Sequence, residues 1–159
     1  MTKMSSKIAL GTAQFGLDYG INNLRGRIPE GEAEEILGYA HQNGIDILDT
    51  ARAYGDSESV LGRILKKTGL TFDIVSKVPA DWDGRTEALE ESFDLLGLDS
   101  LYGVLLHNFG TYEKNPEVFT CLENYKKQGR VKKIGFSLYY PEEAFRILEE
   151  KIPADLVQI

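Results

Sequence analysis

The sequence contains little cysteine, little histidine and no excess of basic charge. Its 159 residues include one cysteine, Cys121, and two histidines, and the formal net charge at pH 7 is −7. A single cysteine excludes an intrachain disulfide, and two histidines far apart in sequence argue against a histidine-rich metal site. We therefore predict no metal site. Nucleic acids and anionic membrane surfaces bind basic patches, so the acidic balance argues against both as partners.

Long hydrophobic runs are also absent. No apolar segment approaches the length of a membrane span, and the N-terminal residues lack the apolar stretch of a signal peptide. We therefore expect a cytoplasmic protein. The hydrophobic content of 42% and the charged content of 27% are typical of a globular chain, and 159 residues are enough for one domain with a core.

Short apolar runs alternate along the chain with amphipathic helical patterns. Predicted strands begin near residues 8, 45, 72, 101, 131 and 155, and predicted helices lie at 32–42, 57–69, 86–96, 115–129 and 140–148. Ser57 is the expected cap of the second helix, and the last helix is expected to pack through Ala144, Phe145 and Leu148. This alternation predicts right-handed βαβ units and one parallel sheet.

Two architectures have this element order, an open doubly wound sheet and a β/α barrel. A doubly wound dinucleotide-binding fold places a Gly-x-Gly-x-x-Gly turn after its first strand. Here the first strand leads into Gly11-Thr12-Ala13-Gln14-Phe15-Gly16, which lacks that spacing. Polar side chains instead follow several successive strands, as they do at the C-terminal mouth of a barrel. The sequence therefore predicts an α/β fold, a partial (β/α)8 TIM barrel with about six parallel strands and five helices.

Four side chains that can transfer or stabilise a proton follow successive predicted strands. Asp49 and Tyr54 follow the second strand, Lys77 ends the third and His107 ends the fourth. Each has an ordinary alternative when taken alone: a turn aspartate, a rim tyrosine, a surface lysine or a core histidine. Because the carboxyl ends of parallel strands meet at one edge of a barrel, we expect the four to share a cleft. The sequence predicts a proton-transfer site.

The order of these residues resembles the aldo-keto reductase family. The matching segments are Leu10-Gly11-Thr12, Asp49-Thr50-Ala51-Arg52-Ala53-Tyr54-Gly55, Ser76-Lys77, His107 and Gly135-Phe136-Ser137. The resemblance implies an NAD(P)H-dependent oxidoreductase that reduces a small-molecule aldehyde, ketone or sugar carbonyl, with NADP, or alternatively NAD, as the cofactor. It also implies that four residues lie near the nicotinamide ribose and amide: Thr12, Asp49, Ser137 and Gln158.

Two departures from the family pattern bear on these expectations. Leu138 stands where the family often has an asparagine, so a contact with the nicotinamide amide is lost or moved. The family's barrel has eight strands, and residues 1–159 are expected to form a single N-terminal portion without strands seven and eight. In the family, those strands carry the residues that stack on the nicotinamide and bind the pyrophosphate and the adenosine phosphate.

Carbonyl reduction at such a site needs a hydride and a proton. No side chain donates hydride, so a nicotinamide must supply it, and Tyr54 is expected to donate the proton. We expect Lys77, held by Asp49, to favour the Tyr54 phenolate, because a nearby cation stabilises an anion. His107 is expected to donate a hydrogen bond to the carbonyl oxygen.

Two other functions fit the same sequence. Lys77 can serve as the Schiff-base lysine of a barrel aldolase. Alternatively, the chain is a catalytically silent partial barrel, truncated, engineered or naturally split. Open strand edges and an exposed apolar interior are hazards that proteins normally cover, so we expect a homo-oligomer formed through the open barrel edges.

Overall fold

The computed structural model describes residues 7–159 of the chain. Six strands form one parallel sheet in which every strand pairs with its neighbours in sequence, so that the sheet curls into a partial barrel. The predicted fold class is confirmed. The strands are β1 (Ala9–Gly11), β2 (Ile47–Asp49), β3 (Asp73–Val78), β4 (Leu101–Leu106), β5 (Val131–Ser137) and β6 (Leu156–Gln158).

All five predicted helices are present in the described part of the chain, together with two short ones. The helices are α1 (Ala13–Gly16), α2 (Glu30–Gln42), α3 (Ser57–Thr68), α4 (Glu87–Leu96), α5 (Phe109–Lys114), α6 (Glu117–Lys127) and α7 (Pro141–Glu149). The short helices α1 and α5 follow β1 and β4, and they contain too few turns for an apolar period to be recognised. None of the helices between residues 7 and 159 is both long enough and apolar enough to cross a membrane.

The hydrophobic core lies between the outer face of the sheet and the helices that cover it. Strand residues such as Leu48, Ile74 and Val104 are buried in one cluster with helix residues such as Leu61 and Phe93. Strands β3 and β4 are buried along almost their whole length, as expected for central parallel strands covered on both faces. This packing holds the carboxyl ends of β2, β3 and β4 side by side.

Two details of the predicted helices are wrong. Asp56, not Ser57, is the N-cap of α3, because the Ser57 hydroxyl is buried and bonded to Thr12 instead of to its own helix. Helix α7 buries Ile147, whereas Phe145 and Leu148 are exposed. The described chain provides no element over that side of α7, so the apolar pattern there has nothing to pack against.

Helix α1 supports the loop that carries Tyr54 through a close backbone contact. A Cβ atom added at Gly16 would overlap the Tyr54 carbonyl oxygen and lie 2.8 Å from the backbone nitrogen of Asp56. Backbone groups cannot yield as a flexible side chain can, so only glycine fits at this position. The β1–α2 connection therefore positions part of the loop after β2.

Candidate active site

The ends of three strands bring the four predicted proton-transfer residues together. Asp49 is the last residue of β2, Lys77 lies one residue before the end of β3, and His107 follows β4. The Lys77 Nζ atom lies 2.7 Å from Asp49 Oδ1 and 3.2 Å from the Tyr54 hydroxyl oxygen. The rings of Tyr54 and His107 meet edge to face, with their centroids 6.0 Å apart.

Lys77 is the buried centre of this cluster. Its side chain is only 1% exposed, and its ammonium donates to Asp49, to the Thr50 carbonyl oxygen at 2.9 Å and to Tyr54. An ammonium has three hydrogens, so each has an acceptor, which is what makes burial of the charge tolerable. Burial lowers the pKa of Lys77, although the negative charge of Asp49 acts in the opposite direction.

Tyr54 is held in its protonated form. Burial, and next to it the negative charge of Asp49, raise the pKa of the Tyr54 phenol to about 12. In the free chain, burial and the Asp49 carboxylate keep the phenol protonated. That Lys77, whose Nζ lies 3.2 Å from the Tyr54 hydroxyl oxygen, favours the phenolate stays a prediction. Tyr54 enters any reaction at neutral pH with its proton in place.

His107 is a neutral imidazole at neutral pH. Burial, followed by the positive charge of Lys77, lowers its pKa below the ordinary value of 6.5. Its Nδ1 atom is buried and has no hydrogen-bond partner within the described residues. A buried N–H group without an acceptor forfeits a whole hydrogen bond, so we assign the proton of this imidazole to Nε2.

Thr12 lies beneath the cluster as part of a buried hydroxyl network. Its hydroxyl donates to the Asp49 carbonyl oxygen at 3.0 Å and lies 2.8 Å from the Ser57 hydroxyl. The Ser57 hydroxyl also lies 3.1 Å from that of Thr50. These contacts hold the backbone around Asp49, and they leave the Thr12 side chain fully buried. A direct contact between Thr12 and a cofactor stays a prediction.

Ser137 and Gln158 lie opposite each other at the ends of β5 and β6. Both are half-buried, and within residues 7–159 neither side chain has a hydrogen-bond partner. A hydroxyl beside an unpaired amide suits a ligand that carries amide and hydroxyl groups, so these two residues fit the nicotinamide half of a cofactor. Next to them, Leu138 is buried and its amide donates to the Gln158 carbonyl oxygen at 2.7 Å. Leu138 thus offers a ligand no polar side chain.

Two exposed tyrosines at the rim were missed by the sequence reasoning. Tyr19 and Tyr139 lie close enough to Tyr54 to contribute to its raised pKa. They come from the loops after β1 and β5, where no periodic pattern marks a tyrosine as part of a site. A cavity of about 1060 Å³ is lined mainly by the segment from Tyr19 to Pro29, and none of the four proton-transfer residues lines it.

The comparison with known families decides which class of protein this fold and cluster represent. Residues 7–159 match the model of the Aldo/keto reductase family. The chain belongs to this family. Membership of this family accounts for the six parallel strands of the partial barrel. Among residues 7–159, no group of three or more histidine, cysteine, aspartate or glutamate side chains is placed to hold a metal ion.

Several aldo-keto reductases that this chain is similar to are longer than the chain. One from Mycolicibacterium smegmatis is 29% identical over 130 residues, which cover 77% of this chain and 46% of that protein. The chain spans about half the length of such curated relatives. The structure of a candidate aldo-keto reductase from Pseudomonas aeruginosa is 31% identical with a TM-score of 0.78, over 96% of this chain and 62% of that one. The holo form of an aldo-keto reductase from Bacillus halodurans, 23% identical with a TM-score of 0.71, covers 91% of this chain and 50% of that one and has the same fold.

Proposed function

We propose that this chain carries the proton-transfer half of an NAD(P)H-dependent carbonyl reductase site. The supporting observation is the Lys77 ammonium, which lies within hydrogen-bond distance of both Asp49 and the Tyr54 hydroxyl. The substrate is an aldehyde, a ketone or a sugar carbonyl, and the cofactor is NADP, with NAD as the alternative. Membership of the aldo-keto reductase family supports the same reaction class.

Each of the four residues has a separate role in protonating a carbonyl oxygen. Tyr54 holds a proton on its hydroxyl and donates it as negative charge develops on that oxygen. Lys77 then stabilises the phenolate that remains, while Asp49 keeps the ammonium oriented. His107, through its Nε2–H, donates a second hydrogen bond to the same oxygen. The hydride for the carbonyl carbon would come from a nicotinamide held beside these residues.

The free polar side chains of Ser137 and Gln158 would hold the nicotinamide amide and ribose. Asp49 would contribute from the opposite side of the cleft, beside Lys77. Thr12 would act indirectly, since its hydroxyl is already bonded to the Asp49 carbonyl oxygen and to Ser57. These assignments favour binding of the reactive end of the cofactor, which is the end that the proposed reaction needs.

The same contacts favour reduction over Schiff-base chemistry. A Schiff-base lysine needs a free amine with room for a substrate carbon. All three hydrogens of Lys77 have acceptors, and its closest partner is the carboxylate of Asp49. The ion pair holds the proton on Lys77 and supports the role of a cation.

Turnover with NADPH and a panel of aldehydes, ketones and sugars tests this function. We expect NADPH oxidation, and we expect Tyr54→Phe to lower kcat by about 10²–10⁴-fold, because it removes the proton donor. Tyr140→Phe is the matched control, since Tyr140 is an exposed tyrosine outside the cluster. A fluorescence titration should give unchanged NADPH binding for Tyr54→Phe and weakened binding for Asp49→Asn. Absence of NADPH oxidation with every carbonyl class would overturn the proposal.

A second candidate function is self-association as a partial barrel. Large apolar side chains are exposed near β1 and β6, the outer strands of the sheet within residues 7–159: Ile8 beside β1, and Phe145, Leu148 and Val157 on α7 and β6. In a parallel sheet the free edge of the last strand complements the free edge of the first. We propose a second copy of this chain as the occupant of these edges, because that copy presents both.

A further inference from the structure

Glu58, in the first turn of α3, is a buried carboxylate that the proposed mechanism does not use. Its side chain is 1% exposed. Oε1 accepts a hydrogen bond from the Ser76 hydroxyl at 2.6 Å, and Oε2 accepts one from the Ser92 hydroxyl at 3.1 Å. Ser76 belongs to β3 and Ser92 to α4, so one carboxylate joins three elements. Burial of a carboxylate is costly unless its oxygens accept hydrogen bonds, and both oxygens of Glu58 do.

The bond to Ser76 acts on the strand directly beside Lys77. Successive side chains of a strand point to opposite faces, so Ser76 faces the helices while Lys77 faces the inside of the barrel. Holding Ser76 from outside limits both the sliding and the rotation of β3 at Lys77. Glu58 also lies four residues after Tyr54, at the start of the helix that follows the Tyr54 loop. The hydrogen bond from Ser76 to Glu58 therefore links the segment that carries Tyr54 to the strand that carries Lys77.

Arg52 also links the loop that carries Tyr54 to strand β3. Its backbone amide donates to the Lys77 carbonyl oxygen at 3.1 Å, and its guanidinium forms a two-pronged ion pair with Glu91 of α4. Burial raises the pKa of Glu58, whereas the two serine hydroxyls and the Arg52 charge oppose that rise. Both carboxylate oxygens accept bonds, an arrangement that suits the ionised form.

We propose that Glu58 is a positioning residue that, through Ser76, holds the Lys77 ammonium against Asp49 and Tyr54. The bond from Ser92 anchors α4 and contributes to stability without orienting Lys77. The proposal rests on the proposed role of Lys77 in proton transfer. Its test needs neither cofactor nor turnover, so failure of this proposal and failure of the reductase function are separate results.

The two serines provide a matched pair of variants. Ser76→Ala and Ser92→Ala each remove one hydroxyl from the same carboxylate, but only Ser76 adjoins Lys77. The measurement is the NMR titration of Lys77 in the full chain with isotope-labelled lysine, in which Lys77→Arg identifies the resonance. In each background, the midpoint is recorded with and without Asp49→Asn. The displacement of the midpoint by Asp49→Asn reports how closely Asp49 and Lys77 interact.

We expect Asp49→Asn to lower the Lys77 midpoint in the wild-type and Ser92→Ala backgrounds by equal amounts. In the Ser76→Ala background we expect less than about half of that displacement, because Lys77 is no longer held against Asp49. Ser76→Cys, which fills the site left by the hydroxyl but donates only weakly, should behave like Ser76→Ala. Circular dichroism confirms that each variant is folded. An equal displacement in all backgrounds, or an equal loss in both serine variants, would overturn the proposal.

Discussion

The charge on Lys77 influences how its neighbours ionise. The ammonium lowers the pKa of His107, although burial contributes more, while Asp49 acts in the opposite direction on that imidazole. Asp49 also contributes to the raised pKa of Tyr54, after burial. A single ion pair thus helps to keep a phenol protonated and an imidazole neutral. In both of these states the side chain still carries an O–H or N–H group that can donate a hydrogen bond to a carbonyl oxygen.

At the residue scale, we predict that His107 titrates below 6.5. Lys77→Met should raise the midpoint, because it removes a repelling charge, and Asp49→Asn should lower it. NMR of the imidazole resonances measures both, with His41, the only other histidine, as the internal control. The unfolded chain takes up this proton at higher pH than the folded chain, so His107 makes folding less favourable as the pH falls below 6.5. A midpoint unchanged in both variants would contradict this prediction.

At the element scale, α3 and α4 approach each other through Gly62. This glycine is buried, and a Cβ atom there would overlap the Leu95 carbonyl oxygen and lie 3.0 Å from the Leu96 carbonyl carbon. The close approach matters for the site, because α3 carries Glu58 and α4 carries Ser92. The distance between α3 and α4 therefore affects where Glu58 lies, and through its bond to Ser76 it affects the position of β3.

We predict that Gly62→Ala lowers the free energy of unfolding by about 1–3 kcal/mol, because the methyl group forces the two helix backbones apart. The matched control is Gly38→Ala, in the interior of α2, where a Cβ atom would meet nothing within 4 Å. That change should raise the free energy of unfolding by about 0.5–1 kcal/mol, since alanine favours a helix over glycine. Urea denaturation measures both, and changes of the same sign would contradict the packing account.

At the scale of the whole molecule, exposed apolar side chains lie near both ends of the sheet. Helix α7 exposes Leu148 at 73%, and β6 exposes Val157 at 51%. Beyond β1, Ile8 is exposed to a similar extent. Within residues 7–159, β1 and β6 are the outer strands of the sheet. Pairing their outer edges would remove backbone groups and these side chains from water, which is the physical drive for the proposed self-association.

We predict that the chain is an oligomer at micromolar concentration and that Leu148→Glu weakens the association, because a carboxylate in an apolar contact must be desolvated. Leu24→Glu is the control: Leu24 is equally apolar and 98% exposed, but it lies in the loop after β1. Light scattering over a dilution series measures both. A wild-type chain that is monomeric throughout, or equal effects of the two variants, would rule out association through α7 and β6.

The sequence by itself determined the elements of the fold and the grouping of the four proton-transfer residues. Strand and helix periods are local properties, so the five longer helices and the six strands were recognisable, and so was a barrel rather than a doubly wound sheet. Asp49, Tyr54, Lys77 and His107 were recognisable as a group for a related reason. In a parallel barrel, the order of the strands alone brings residues at strand ends to one mouth.

Only the tertiary structure decided what depends on partners distant in sequence. Ser57 has the sequence of a helix cap, but Thr12 and Thr50 engage its hydroxyl. Glu58 has the sequence of a solvated helix residue, yet it is buried and accepts hydrogen bonds from two serines of other elements. Phe145 and Leu148 continue an apolar pattern that no described element covers, so they remain exposed. Local sequence sets which face a residue occupies, whereas burial, hydrogen-bond partners and pKa are set by what the fold places against that face.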